Sequence, residues 1–121
     1  MERLFSEDEA NQLLPELRSL LERLREAKSK YDAEALQAGR AAAGNGSPAV
    51  AVAGSEAARQ FSEVAATLES LGVIVRDADS GLVDFAATRA GEPVYLCWRL
   101  GEERVAFWHP RDTGFAGRQP L

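Results

Sequence analysis

Gly72 divides the chain between two hydrophobic rhythms. Before it, Leu13, Leu17, Leu20, Leu24, Ala27 and Tyr31 follow one another in alternating steps of four and three, and Ala58, Phe61, Ala65 and Leu68 repeat at helical spacing. After it, apolar and polar residues alternate in short runs separated by glycine-containing turns. Steps of three and four gather side chains on one stripe of a helix, whereas steps of two gather them on one face of a strand. A chain that keeps the two patterns in separate blocks reads as α+β. The fold expected is a long antiparallel helical hairpin packed on a four-stranded antiparallel β-meander, with an irregular C-terminal tail. Residues 1–121 are long enough to bury a core as a single domain, with the hairpin over 6–71, the meander over 73–109 and the tail over 110–121.

Local signals set the boundaries. Ser6 with Glu9 three residues on is a capping box, and Phe5 before it can staple onto the first turn near Ala10. Leu14 and Leu21 widen the apolar stripe, so this helix should touch more than one neighbour. Pro15 should kink the helix near its second turn, and Gly39 should stop it after Ala38. Glu26 and Lys30 form an i,i+4 pair on the wet face. Gly44, Asn45, Gly46, Ser47 and Pro48 are a cluster of breakers, which makes 40–54 the hairpin loop. Ser55 caps a second helix that ends at Gly72. The stretches "VIVRDADSGLVDFAA", "VYLCWRL" and "RVAFWH" then supply four strands joined by tight turns.

The formal net charge of −5 comes without a basic stripe. Nucleic-acid binding is disfavoured, because phosphate neutralisation supplies most of that affinity, and anionic membrane surfaces are disfavoured on the same ground. Cys97 is the only cysteine, so no internal disulfide forms, as expected of a protein in a reducing cytoplasm. The opening "MERLFSEDEANQLL" lacks the basic and apolar regions of a secretory leader, and no apolar run nears the roughly 20 residues that span a bilayer.

Chemistry-bearing residues cluster in "CWRLGEERVAFWHPRDTGFAGRQP", at 97–120. Alternation sets Val94, Leu96, Trp98 and Leu100 on one face of the third strand and Tyr95, Cys97 and Arg99 on the other. On the fourth strand Val105, Phe107 and His109 oppose Ala106 and Trp108. The mostly apolar set should meet the helices, leaving Tyr95, Cys97, Arg99 and Trp108 outward. Tyr95, Trp108 and Phe115 are then interface candidates, unless the tail folds over with Phe115 covering Trp108. His109 and Cys97, helped by Asp84 or Glu102, are metal-ligand types. Their spacing matches no standard zinc pattern and they are too few, so a structural histidine is expected and no metal or cofactor. A Cys–His nucleophile lacks a third orienting group, and no catalytic constellation is recognisable. "DADSGLVD" fails as a calcium loop, because Gly81 stands where an oxygen ligand is needed and Thr88 where a glutamate is. Asp84 lies inside a strand, where a carboxylate needs a partner, and Arg99 or Arg118 could supply it. Arg118, between Gly117 and Gln119, could clamp an anionic group or fasten the tail.

The blocks "LFSEDEANQLLPEL", "GLVDFAA", "LCWRLGE", "FWH" and "GFAGRQP", in that order, resemble the bacterial domain-of-unknown-function 2203 family. The resemblance spans the chain apart from 40–54. It implies that Glu9, Asn11, Pro15, Gly81, Asp84, Cys97, Trp98, Gly101, Glu102, Trp108, His109, Gly114 and Arg118 belong to that family's motif set, and it implies no activity. Ala86 stands where the family often has proline, and Pro110 where it often has an acid, which weakens any ligand role at 110.

Two functions are compatible with these residues. The first is a non-enzymatic interaction or scaffold domain that dimerises over a leftover apolar face or meets another protein. The second is a small-ligand or metal site built from Asp84, Arg99, Glu102, His109 and Arg118, which requires those side chains to converge.

Overall fold

The computed structural model describes residues 2–41 and 55–121, and the expected loop over 40–54 falls mostly outside them. Helices α1 (Glu7–Gln12), α2 (Leu14–Ala41) and α3 (Glu56–Ser70) precede five strands: β1 (Val73–Asp77), β2 (Leu82–Arg89), β3 (Glu92–Arg99), β4 (Phe107–Pro110) and β5 (Gln119–Pro120). The strands form one sheet in chain order, each antiparallel to the next. Among the described residues, no helix is long and apolar enough to cross a membrane.

The capping box forms as read: Ser6 Oγ accepts from the Glu9 N–H at 3.0 Å, and Glu9 Oε1 accepts from the Ser6 N–H at 2.9 Å. Phe5 is held more firmly than a staple requires. Its N–H donates to the Ala86 carbonyl at 2.8 Å and its ring packs edge-on to Phe85 at 5.2 Å. Pro15 does not kink a continuous helix. The chain breaks at Leu13, and α2 restarts at Leu14, so Pro15 lies in a first turn where its missing N–H is not needed. Gly39 does not stop α2, which continues to Ala41. Ser55 caps α3, and Gly72 follows it at φ +83°, as expected.

The core lies between α2, α3 and one sheet face, where Leu17, Leu21, Leu24, Val64 and Leu68 meet Val83, Phe85, Leu96 and Trp98. Trp98 is fully buried, and its indole N–H donates to the Glu102 carbonyl at 3.1 Å. Asn11 links helix to sheet: its Oδ1 accepts from the Val105 N–H at 2.7 Å.

The sheet has five strands rather than four, because the tail is not irregular throughout. A short 3₁₀ turn at Phe115–Gly117 leads into β5, which pairs with β4. Gly117 makes the turn possible, since a Cβ there would collide with the Thr113 side chain. The fourth strand also starts later than expected. Val105 is buried in the helix-side core, but neither it nor Ala106 is strand, so the alternation read from Val105 breaks. In register, Trp108 pairs with Leu96 and packs against the core, while Tyr95 pairs with His109. Trp108 therefore lies on the helix-covered face, and Phe107 and His109 lie on the outer one.

Candidate functional site

The outer face carries every second residue of the strands whose partners make the core. The β2–β3 turn is two residues long, Ala90 and Gly91, both at positive φ, which matches the twist of a tight hairpin connection. That turn fixes the register in which Asp84 pairs with Cys97. His109 enters from β4 beside Tyr95, their rings 5.5 Å apart. β2 and β4 flank β3 at about 9.5 Å from each other, a gap that two inward-leaning side chains can close. Asp84 and His109 close it: the imidazole Nε2 lies 3.0 Å from Asp84 Oδ1 and 3.1 Å from Oδ2. Both residues are only 2% exposed, and Cys97 is 1% exposed.

Two further contacts fix this pair, and Thr113 braces one of them. Arg76 is the extra residue of a β-bulge, where the β1–β2 register shifts between Val75 and Asp77. Bulges re-aim side chains, and Arg76 Nε–H donates to Asp84 Oδ2 at 2.8 Å. The Asp84 carboxylate in turn pushes the Arg76 pKa up. His109 Nδ1 lies 2.8 Å from the Pro110 carbonyl, which can only accept, so Nδ1 carries a hydrogen. Pro110 O also accepts from Thr113 N–H at 3.1 Å and from Thr113 Oγ1 at 3.2 Å. Burial, with the negative Asp84 beside it, pushes the Cys97 thiol up to about 12. A thiol so held is not a nucleophile near neutral pH.

Above the pair is a cleft of about 320 Å³. Its floor is Asp84, Cys97 and His109, and Arg76, Arg111, Thr113 and Phe115 are among its walls. The Arg76 and Arg111 guanidinium groups lie 4.9 and 4.6 Å from the Tyr95 ring centroid. Arg111 pairs with Glu2 at 2.9 Å, and its buried Nε has no partner among the described residues.

The five residues expected to converge divide into two groups. Asp84 and His109 meet at the floor of the cleft. Arg99, Glu102 and Arg118 fasten the tail instead. Arg118 Nη2 donates to Glu102 Oε1 at 2.7 Å and to the Cys97 carbonyl at 3.3 Å, and Glu102 Oε1 accepts the Arg99 N–H at 2.7 Å. Burial alone would raise the Glu102 pKa, but the hydrogen bonds from Arg118 and the Arg99 backbone outweigh it and hold the carboxyl below its ordinary range. Arg99 and Arg118 both lie over the Phe115 ring, at 5.1 and 4.6 Å. The partner of Asp84 is thus Arg76 together with His109, not Arg99 or Arg118. Of the interface candidates, Tyr95 and Phe115 are on the outer face, whereas Trp108 lies on the other with Arg89 over its ring at 4.8 Å. Arg76 was missed because the bulge that aims it leaves no mark in "VIVRD".

A family model described as "Uncharacterized conserved protein (DUF2203)" matches residues 3–121, nearly the whole chain, so the chain belongs to that family. No curated protein and no solved structure matches it.

Proposed function

We propose that this member of the DUF2203 family binds a small anionic ligand in the cleft over the outer face of its sheet. The observation that supports this reading is the buried Asp84–His109 pair at the cleft floor, with Cys97 beside it. Desolvating a carboxylate and an imidazole is costly, and an apolar pair of similar size would fill the same space more cheaply. Polar groups kept in such a place, under a concave opening, are the usual mark of a binding site. Arg76 and Arg111 give the walls two cations suited to a carboxylate or phosphate group. Phe115, 41% exposed, offers an apolar surface for the rest of the ligand.

The test is ligand-observed NMR with a fragment set rich in carboxylates and phosphates, run on the full chain and on Arg111→Glu and Phe115→Ala. Both residues are on the cleft wall, away from the core, so the variants should fold. Fragments that bind the full chain and lose their signal in both variants support the site. Binding that survives both substitutions, or no binding at all, overturns it.

A second reading, an interaction domain that pairs with another copy of itself, has one supporting observation. Tyr31, Ala58 and Phe61 line a groove between α2 and α3 without being fully buried. Sedimentation of the full chain and of Phe61→Glu checks it: a dimer that the substitution dissociates is the expected result, and a monomer at all concentrations ends the reading.

A further inference from the structure

The gap between Asp84 and His109 needs an occupant. Pro110 O fixes a hydrogen on His109 Nδ1, which turns the other ring nitrogen toward the Asp84 carboxylate at 3.0 Å. A lone pair and a carboxylate oxygen at that separation repel unless a positive species lies between them. A proton fits at this separation, and a metal ion fits where the pair opens to ligand spacing. Cys97 Sγ favours the second: a carboxylate oxygen, the sulfur and the imidazole nitrogen all lie within 4.8 Å of one another.

We propose that Asp84, Cys97 and His109 are three ligands of a zinc-type metal site whose fourth position opens into the cleft. The inference deepens the ligand-binding reading and rests on it. The donor set suits the metal: thiolate, imidazole and carboxylate are all zinc ligands, and three of them make a site with one open position. Ligand atoms on a four-coordinate zinc sit about 3.3–3.8 Å apart, given bonds of about 2.0–2.3 Å. The three donor atoms, all within 4.8 Å of one another, lie near that spacing. The donors stand on three neighbouring strands, a rigid base.

The surroundings also match. Metal-bound histidines characteristically give their other ring N–H to a carbonyl or carboxylate, as His109 does to Pro110 O. Ligating carboxylates are hydrogen-bonded in turn, as Asp84 is by Arg76. Two anionic ligands, the metal and Arg76 together leave the site net positive, which fits an anionic group in the fourth position. Binding would form one bond each from the metal to sulfur, nitrogen and oxygen, and would release two protons to solvent, that of the Cys97 thiol and the one held between His109 and Asp84, with no redox change.

The experiment is titration of the metal-stripped full chain with Zn²⁺ by calorimetry and with Co²⁺ by absorption. The expected result is one equivalent of metal per chain, with a thiolate-to-cobalt charge-transfer band in the near ultraviolet and the strong visible bands of a four-coordinate ion. Cys97→Ser should abolish the charge-transfer band, and Arg76→Gln should weaken affinity about 10–100-fold. Absence of stoichiometric binding, or a cobalt spectrum without the sulfur band, overturns the proposal on the unsubstituted protein alone, so a variant that fails to fold does not protect it. Repeating the fragment NMR with and without Zn²⁺ separates the two readings. Fragments that bind the stripped protein keep the anionic-ligand site even if the metal fails, and zinc uptake without any fragment binding keeps the metal and removes the ligand.

Discussion

On the helix-covered side of the sheet, Val83, Phe85, Leu96 and Trp98 sit among the leucines of α2 and α3. On the other side, the alternate positions of the same strands hold Asp84, Ala86, Tyr95 and Cys97, joined by His109 from β4. The cover there is the tail, held by Arg118 and by a two-residue strand. Asp84 and Cys97 are nonetheless as inaccessible as the core leucines. Equal burial therefore conceals unequal chemistry. The helix side gains from removing apolar surface from water, which is non-directional. The outer side holds polar groups whose burial is tolerated only while each finds its partner. The first face should respond to lost volume and the second to lost partners.

The largest effect should come from the helix side. Trp98→Ala removes a fully buried ring and leaves a cavity under α2, at a cost of about 3–5 kcal/mol. That is a large share of the stability of an ordinary domain. Urea unfolding followed by circular dichroism measures it. A loss near that of an exposed site such as Leu4, which is 52% exposed, would show that the face is not the core described above.

The outer face should give a smaller loss with a different signature. Asp84→Ala leaves His109 buried with one nitrogen unsatisfied, at a cost of about 2–3 kcal/mol. Arg76 adds little to that, because its side chain is 43% exposed and water can replace the carboxylate. Replacing both members, Asp84→Leu with His109→Leu, should bring metal-free protein back to within about 1 kcal/mol of the original, since no partner is then orphaned. Additive losses in the double variant would mean that the two residues act through volume, which would erase the contrast between the faces.

That contrast was partly visible in the sequence. The switch of period at Gly72, the capping box and the apolar set Val94, Leu96 and Trp98 follow from short-range patterns, and short-range patterns are written in consecutive residues. The position of Trp108 was not, because the irregular backbone at Val105 and Ala106 inverts every later assignment on that strand. β5 was hidden by prolines and glycines that normally mark loops, though Pro120 sits on an edge strand, where a missing N–H is harmless. Asp84 and His109 could be named as candidates by type, but their meeting depends on the register of three strands. Arg76 depends on a bulge, and Glu102 and Arg118 resembled site residues because an ion pair that fastens a tail uses the same side chains as one that binds a ligand.

The smallest effect concerns that fastening and carries a sign in pH. Glu102 lies below its ordinary value of 4.5, since the hydrogen bonds to its charged form outweigh burial. A carboxyl with a depressed folded pKa stabilises the protein above its unfolded pKa, and the stabilisation fades as pH falls through the folded value. Arg118→Ala removes the main cause of the depression and leaves burial to act alone. The variant should therefore be less stable by about 1 kcal/mol at neutral pH, as for a partly buried pair. The gap should close on acidification, because protonated Glu102 no longer distinguishes the two proteins. Thermal unfolding of both across the acid range reads the gap directly. A gap that stays constant down to the acid limb would assign the role of Arg118 to its stacking on Phe107 and Phe115, at 4.2 and 4.6 Å, rather than to its pairing with Glu102. In that case the tail would be held by guanidinium–ring contacts that need no carboxylate, and only the Asp84–His109 pair would still make the outer face depend on a buried carboxylate.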